Sequence, residues 1–163
     1  MAGATLTLRY EDAELRRLAK RLERALARAD HRPLLTLIAG ALRESAVLRF
    51  HEGRAPDGSR WKKSRRALET GGQTLILEGH LRDSITSNAT SRRVEVGTNK
   101  EYGGIHQFGG VIRPKKGRAL AVPGVGFRSS VTMPARPYLG LSAGDEEEIK
   151  DITEAWLRKL VNL

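Results

Sequence analysis

The chain has no cysteine. That excludes disulfides, thiolate nucleophiles and thiolate metal sites, and it fits synthesis in a reducing compartment. Histidine is sparse: His31, His51, His80 and His106 are the whole set, and no two stand at the spacing of a His-Glu-x-x-His metal site. Ser59 and Ser84 lack the flanking glycines of a nucleophile elbow. Gly124-Val-Gly126 has no third glycine, and no phosphate loop ending in Lys-Ser/Thr occurs. The acidic residues form no catalytic pair. An enzyme is therefore not expected, nor is a metal or cofactor. No apolar run approaches the roughly 20 residues that cross a bilayer, so no membrane contact is expected. Met1–Tyr10 lacks the charged start and apolar centre of a secretion signal, and the expectation is a protein made in the cytoplasm. With three Phe and three Tyr, and no aromatic platform among the basic runs, base stacking on single-stranded nucleic acid is disfavoured.

What is present fits a single globular domain spanning all 163 residues, 29% charged and 39% hydrophobic, enough to bury a real core. The net charge is +10. The excess is spread over Arg16, Arg17, Lys20, Arg21, Arg24 and Arg28, then Arg60 to Arg66, then Arg92, Arg93 and Arg113 to Arg118. Solvated helix faces account for such a distribution. So does a small basic nucleic-acid-binding protein with the first helix and 60–66 as its footprint.

Residues 11–29 place Leu15, Leu18, Leu22, Ala25, Leu26 and Ala29 at helical spacing opposite Glu and Arg. Asp30 offers a cap and Pro33 a first-turn proline for a second helix reaching about Phe50, apolar round most of its circumference. The two suggest a helical hairpin with the second helix buried. Pro56-Asp57-Gly58 is a turn. Trp61 after it reads as a packing anchor or a binding residue, and Asp57 as a turn-former. The basic stretch to Arg66 reads as loop. A short helix from about Gly79, a strand at 85–90 and a returning strand at 92–97 follow. Glu101–Phe108 reads as a short helix. Val111-Ile112 and Arg118–Val122 read as strand pieces around a Pro-Lys-Lys-Gly turn. The glycine-rich 122–130 stretch reads as a flexible loop or hairpin tip. Val131–Met133 resumes a strand, and a terminal helix follows, capped by Ser142 or Asp145, with Glu146–Glu148 at the positive end of its dipole.

Two blocks stand out: Tyr102-Gly-Gly-Ile-His-Gln-Phe-Gly-Gly110 and Met133-Pro-Ala-Arg-Pro-Tyr-Leu-Gly140. Each sets aromatics and one cation among glycines and prolines, which suits a docking surface. His106 reads either as a contact at a subunit boundary or as a ring that bonds a backbone carbonyl and holds the glycine turn. Arg136, between Pro134 and Pro137, can reach a carboxylate or carbonyls in a two-pronged way, within the subunit or on a neighbour.

In order along the chain come Pro56-Asp57-Gly58 with Trp61, Leu77-x-Gly79-x-Leu81-x-x-Ser84 and Val94-x-Val96-Gly97-Thr98-Asn99. Then follow Tyr102-x-x-Ile105-His106-Gln107-Phe108-Gly109 and Pro134-Ala135-Arg136-Pro137-Tyr138-Leu139-Gly140. This series resembles the Mu-like phage virion morphogenesis, or tail completion, family of tailed bacteriophages. Gly103 departs from the alanine expected after the tyrosine. The resemblance implies an α+β fold related to tail terminators and head–tail connectors, with an N-terminal helical hairpin, a central antiparallel sheet with a short helix, and a long C-terminal helix. It implies a structural role in tail completion and head–tail joining, made in the bacterial cytoplasm and ending in the neck of the virion. The implied partners are further copies in a sixfold ring, neighbouring tail-tube and neck proteins, and sequence-blind contact with genomic DNA. Interface residues on this reading are Tyr102, Ile105, His106, Gln107, Phe108, Arg136 and Tyr138, with one patch at 102–110 and a second at 134–138. Pro56, Asp57, Gly58, Trp61, Gly109, Gly110, Pro134 and Pro137 shape the turns.

Overall fold

In the computed structural model the chain is described from residue 12 to 161, Lys116 excepted. Expectations for Met1–Tyr10, for a helix starting at residue 11 and for Lys116 in its turn lie outside the described residues.

Helix α1, Ala13–Arg28, and helix α2, Arg32–Glu52, follow the apolar spacing. Ala29 turns extended, with ψ of 142°, and parts the two. Asp30 Oδ1 accepts the Arg32 amide at 2.9 Å, and Pro33 sits in the first turn, where a missing N–H costs no intrahelical bond. Helix α1 buries none of its side chains. Helix α2 buries Leu34, Ile38, Ala39, Ala46, Arg49 and Phe50, but Leu37 and Leu48 stay exposed, so it is covered on one side rather than all round.

The basic segment expected as loop is loop through Ser64, but its last two residues open a helix, α3, Arg65–Thr70. Ser64 Oγ caps it by accepting the Ala67 amide at 3.2 Å, and Arg65 pairs with Glu69 one turn on at 2.6 Å. Six residues are too few for periodicity to reveal. Helix α4, His80–Asp83, leads into strand β1, Ile85–Ala89, which pairs antiparallel with β2, Val94–Thr98, from Ile85↔Thr98 to Ala89↔Val94. Helix α5 spans Gly103–Phe108.

Strands β3 (Gly110–Ile112), β4 (Leu120–Val122), β5 (Gly126–Arg128) and β6 (Val131–Met133) follow, β3 and β4 being the strand pieces expected on either side of the Pro-Lys-Lys-Gly stretch. Strand β3 pairs with β6, Gly110↔Met133 to Ile112↔Val131, and β4 with β5. The antiparallel sheet is thus three two-stranded ladders. The 122–130 stretch is a hairpin, closed by Val125 N–H donating to Val122 O at 3.0 Å.

Helix α6, Ala143–Val161, lies against α2 and also touches α1, with His31 and Trp156 ring centroids 5.5 Å apart. Its start is a reciprocal cap: Ser142 Oγ accepts the Asp145 amide at 3.2 Å and Asp145 Oδ2 accepts the Ser142 amide at 2.7 Å. Helices beside small antiparallel ladders make the fold α+β. Its core joins Ala46 and Phe50 of α2 to Ala55, Trp61, Leu81, Ile85 and Tyr138. Phe50 meets Trp61 edge-on, centroids 5.6 Å apart, and Tyr138 at 5.1 Å, geometries that aromatic quadrupoles favour.

Candidate functional site

The two blocks fold onto each other. Helix α5 ends at Gly109, whose φ of +69° suits only glycine well, and a Cβ there would stand 2.7 Å from Ala135 N and 2.9 Å from Met133 O. The chain at 133–135 can approach only because that atom is missing. It continues past α5, where the Arg136 amide donates to His106 O at 2.7 Å. Gln107 then holds the next peptides. Its Oε1 accepts the amides of Tyr138 and Leu139, both at 3.0 Å, and its Nε2 donates to Leu139 O at 2.9 Å. Tyr138 O–H donates to Gly103 O at 3.0 Å.

That bond explains the departure at Gly103. A Cβ there would lie 2.6 Å from Thr98 Cγ2 and 2.8 Å from the Tyr138 hydroxyl oxygen. In this subunit the position has no room for alanine.

The other turn residues brace the same unit. Trp61 Nε1 donates to Pro137 O at 2.9 Å, so Trp61 anchors the corner as well as the core. Asp57 Oδ1 accepts the Ser59 amide at 2.9 Å, a turn-forming bond; the Ser59 side chain first and its amide second hold the carboxyl below the ordinary range. Pro56 packs beneath Gly140, whose absent Cβ would meet Pro56 Cγ at 2.8 Å.

The residues expected at an interface therefore divide. Tyr138 is 1% exposed and Gln107 is engaged within the chain, so both hold the subunit together. Both side chains already bond within the chain. Ile105 and His106 are half-buried, and Pro134 and Pro137 with them. Tyr102 and Phe108 reach outward, Phe108 at 80% exposure, and Val111 and Ile112 of the following strand β3 are exposed as well. The two patches expected at 102–110 and 134–138 are one patch, stitched by the bonds above.

Next to it runs a cleft of about 620 Å³, bordered by Lys62, Lys63, Arg65, Tyr102, His106 and Arg136 among others. Arg136 is buried and donates from Nε to Lys62 O at 2.8 Å; burial lowers its pKa. His106 lies edge-on to Tyr102, centroids 6.2 Å apart. Its pKa is lowered by burial first and by the Arg136 charge second, and its Nδ1 is buried without a hydrogen-bond partner. His106 thus does not make the carbonyl bond that one reading gave it. Among the described residues no cluster of metal-capable side chains occurs, and no helix is long and apolar enough to cross a membrane.

One central residue escaped the sequence reading. Arg49 donates to Tyr138 O at 3.1 Å, Gly140 O at 2.8 Å and Ser45 Oγ at 3.1 Å, and forms a buried ion pair with Asp145. It ties α2 to the Pro137–Gly140 corner and to the start of α6. The signal was an arginine on the apolar face of α2, between Ala46 and Phe50.

The chain has known relatives. The model of the phage virion morphogenesis family matches residues 10–158. The chain belongs to that family. Among its relatives is Mu-like prophage FluMu G protein 2 of Haemophilus influenzae, 33% identical over 141 residues, which cover 86% of this chain and 88% of the relative. FluMu G protein 1 of the same bacterium is 28% identical over 161 residues, 93% of this chain and 94% of the relative. The putative capsid assembly protein G of Escherichia phage Mu is 29% identical over 147 residues, 85% and 86% of the two chains. No solved structure matches. As a member of the virion morphogenesis family, the chain has a structural part in building a phage particle, and its joined blocks sit well inside the matched span.

Proposed function

We propose that the protein acts in tail completion and head–tail joining, as a ring subunit in the neck of the virion. The observation that carries this is the single rigid unit made by the two blocks. It turns its hydrogen-bonding residues inward and presents Phe108, Tyr102, Val111 and Ile112 to solvent. Contiguous exposed apolar groups mark interaction surfaces, and a subunit whose only task is assembly has reason to keep one. A closed ring needs a second, different patch on each subunit. Tail-tube and neck proteins are the further partners, and contact with genomic DNA is weak and sequence-blind.

The name of the phage Mu relative favours a second reading, in which this chain serves capsid assembly. Electron microscopy of lysates from the parent phage with this gene deleted separates the two. Full heads beside free tails support joining, and overlong tails among them favour termination. Missing or malformed heads support the capsid role. Normal joined particles overturn both, and the basic charge would then direct attention to duplex DNA binding, tested by its salt dependence.

A further inference from the structure

Two arginines of this subunit are shut from solvent, and only one has a counter-charge. Arg49, 5% exposed, meets Asp145. Arg136, 4% exposed, bonds a carbonyl from Nε and has no carboxylate at ion-pair distance among the described residues. A guanidinium cannot shed its proton in a protein, and a desolvated charge is tolerated when it is paired and hydrogen-bonded. His106 Nδ1, also unpartnered, borders the same cleft. Lys62 and Lys63 stand exposed at the rim. The acid in the lining, Glu78, is exposed and lies 2.8 Å from His80, a contact that is an ion pair only when His80 is protonated. The cleft thus gathers basic and hydrogen-bonding groups suited to an anion.

We propose that this cleft receives a side-chain carboxylate from a second copy of the chain, supplied by the first turn of α6 at Glu146–Glu148. The inference rests on the ring reading above. Burial favours a glutamate over a phosphate: Arg136 is 4% exposed, and a glutamate extends from its helix on two methylenes. Duplex phosphates lie on a stiff, wide cylinder and reach a buried guanidinium less readily. Charge favours a second copy, since Glu146, Glu147 and Glu148 are adjacent and exposed, Glu147 with a surface pair to Lys150 at 3.0 Å, on a chain of net charge +10. Place favours it too. Glu148 borders grooves beside α2 that share no residue with the Arg136 cleft. One subunit therefore carries two different patches of opposite sign, as a head-to-tail contact requires.

The chain has no native thiol, so engineered cysteines report without background. Full-length Lys63→Cys and Glu147→Cys proteins are mixed, oxidised and compared with each alone, and native mass spectrometry reads the oligomer. A disulfide-linked pair is expected in the mixture and not in either protein alone. Lys63→Glu with Arg65→Glu, both exposed rim charges that leave Arg136 in place, is expected to weaken self-association about tenfold. Adding Glu147→Lys and Glu148→Lys restores it. A closed oligomer without the cross-link, and indifferent to the charge reversals, overturns this site and leaves the ring standing. A chain that stays monomeric overturns the second copy as occupant, and the deletion phenotype then judges the neck role separately. Loss of duplex DNA binding in the rim variant with self-association intact assigns the cleft to phosphate and also overturns the inference.

Discussion

Gln107 holds Leu139 from both sides: its Oε1 accepts the Leu139 amide at 3.0 Å and its Nε2 donates to the Leu139 carbonyl at 2.9 Å. A side-chain amide thus plays the part of a neighbouring strand. Gln107→Ala strips partners from three backbone groups, the amides of Tyr138 and Leu139 and the Leu139 carbonyl. The expected loss is about 2–4 kcal/mol, discounted because the site is part-buried. Urea denaturation measures it. A loss below about 0.5 kcal/mol would mean that water replaces the bonds.

Gly103→Ala is expected to cost about 1–3 kcal/mol by overpacking, because its Cβ would stand 2.6 Å from Thr98 Cγ2. Thr98→Ser removes that methyl and keeps the Oγ1 that meets Ser84 Oγ at 2.6 Å. In a double-mutant cycle the serine should recover part of the loss. Additive losses would place the strain at the Tyr138 hydroxyl instead.

Asp145 supplies a dependence on acid. Burial pushes its carboxyl up, but Ser45, Ser142 and the Arg49 charge together hold it below the ordinary 3.8. The unfolded chain therefore takes up the proton at a higher pH than the folded one. Stability is lost as pH falls from about 4 through the folded value. Asp145→Asn leaves Arg49 unpaired, costs about 3–5 kcal/mol at neutral pH and flattens the acid limb of the stability curve. An equally steep limb in the variant would show that other carboxylates carry it.

His106 acts nearer neutrality. Burial, then Arg136, depresses its pKa below 6.5, so stability is full above that value and lost as pH falls through the folded one. His106→Gln should remove this slope below about pH 6.5 in denaturation profiles of the isolated protein. A slope that survives the substitution points to another group.

Phe108 separates folding from assembly. At 80% exposure, Phe108→Ala should change stability by less than about 0.5 kcal/mol. Complementation of the deleted phage should nonetheless fall sharply, and Phe108→Glu should abolish it. Full complementation by the glutamate variant would remove this surface from the assembly interface.

Much of this was legible before any coordinates. Apolar residues at helical spacing located α1, α2 and α6, and glycine and proline located the turns. The order of landmarks carried the family. Residue chemistry singled out the two blocks that the fold brings together. It could not say that Gln107 and Tyr138 face inward while Phe108 faces out, since helices as short as α5 leave orientation to tertiary contacts. Helix α3 went unseen because its determinants are one cap and one ion pair.

Local periodicity and turn chemistry act within a few residues, so the sequence by itself determined the long helices, the turns and the family. What paired with what was decided only in three dimensions. Strand β3 chose β6 over β4, Arg49 met an aspartate 96 positions away, and two signature blocks became one surface. Each of these depends on groups far apart in the chain that leave no local periodic trace. A three-residue strand, a buried charge and a missing Cβ find their meaning in the neighbour that the fold brings to them.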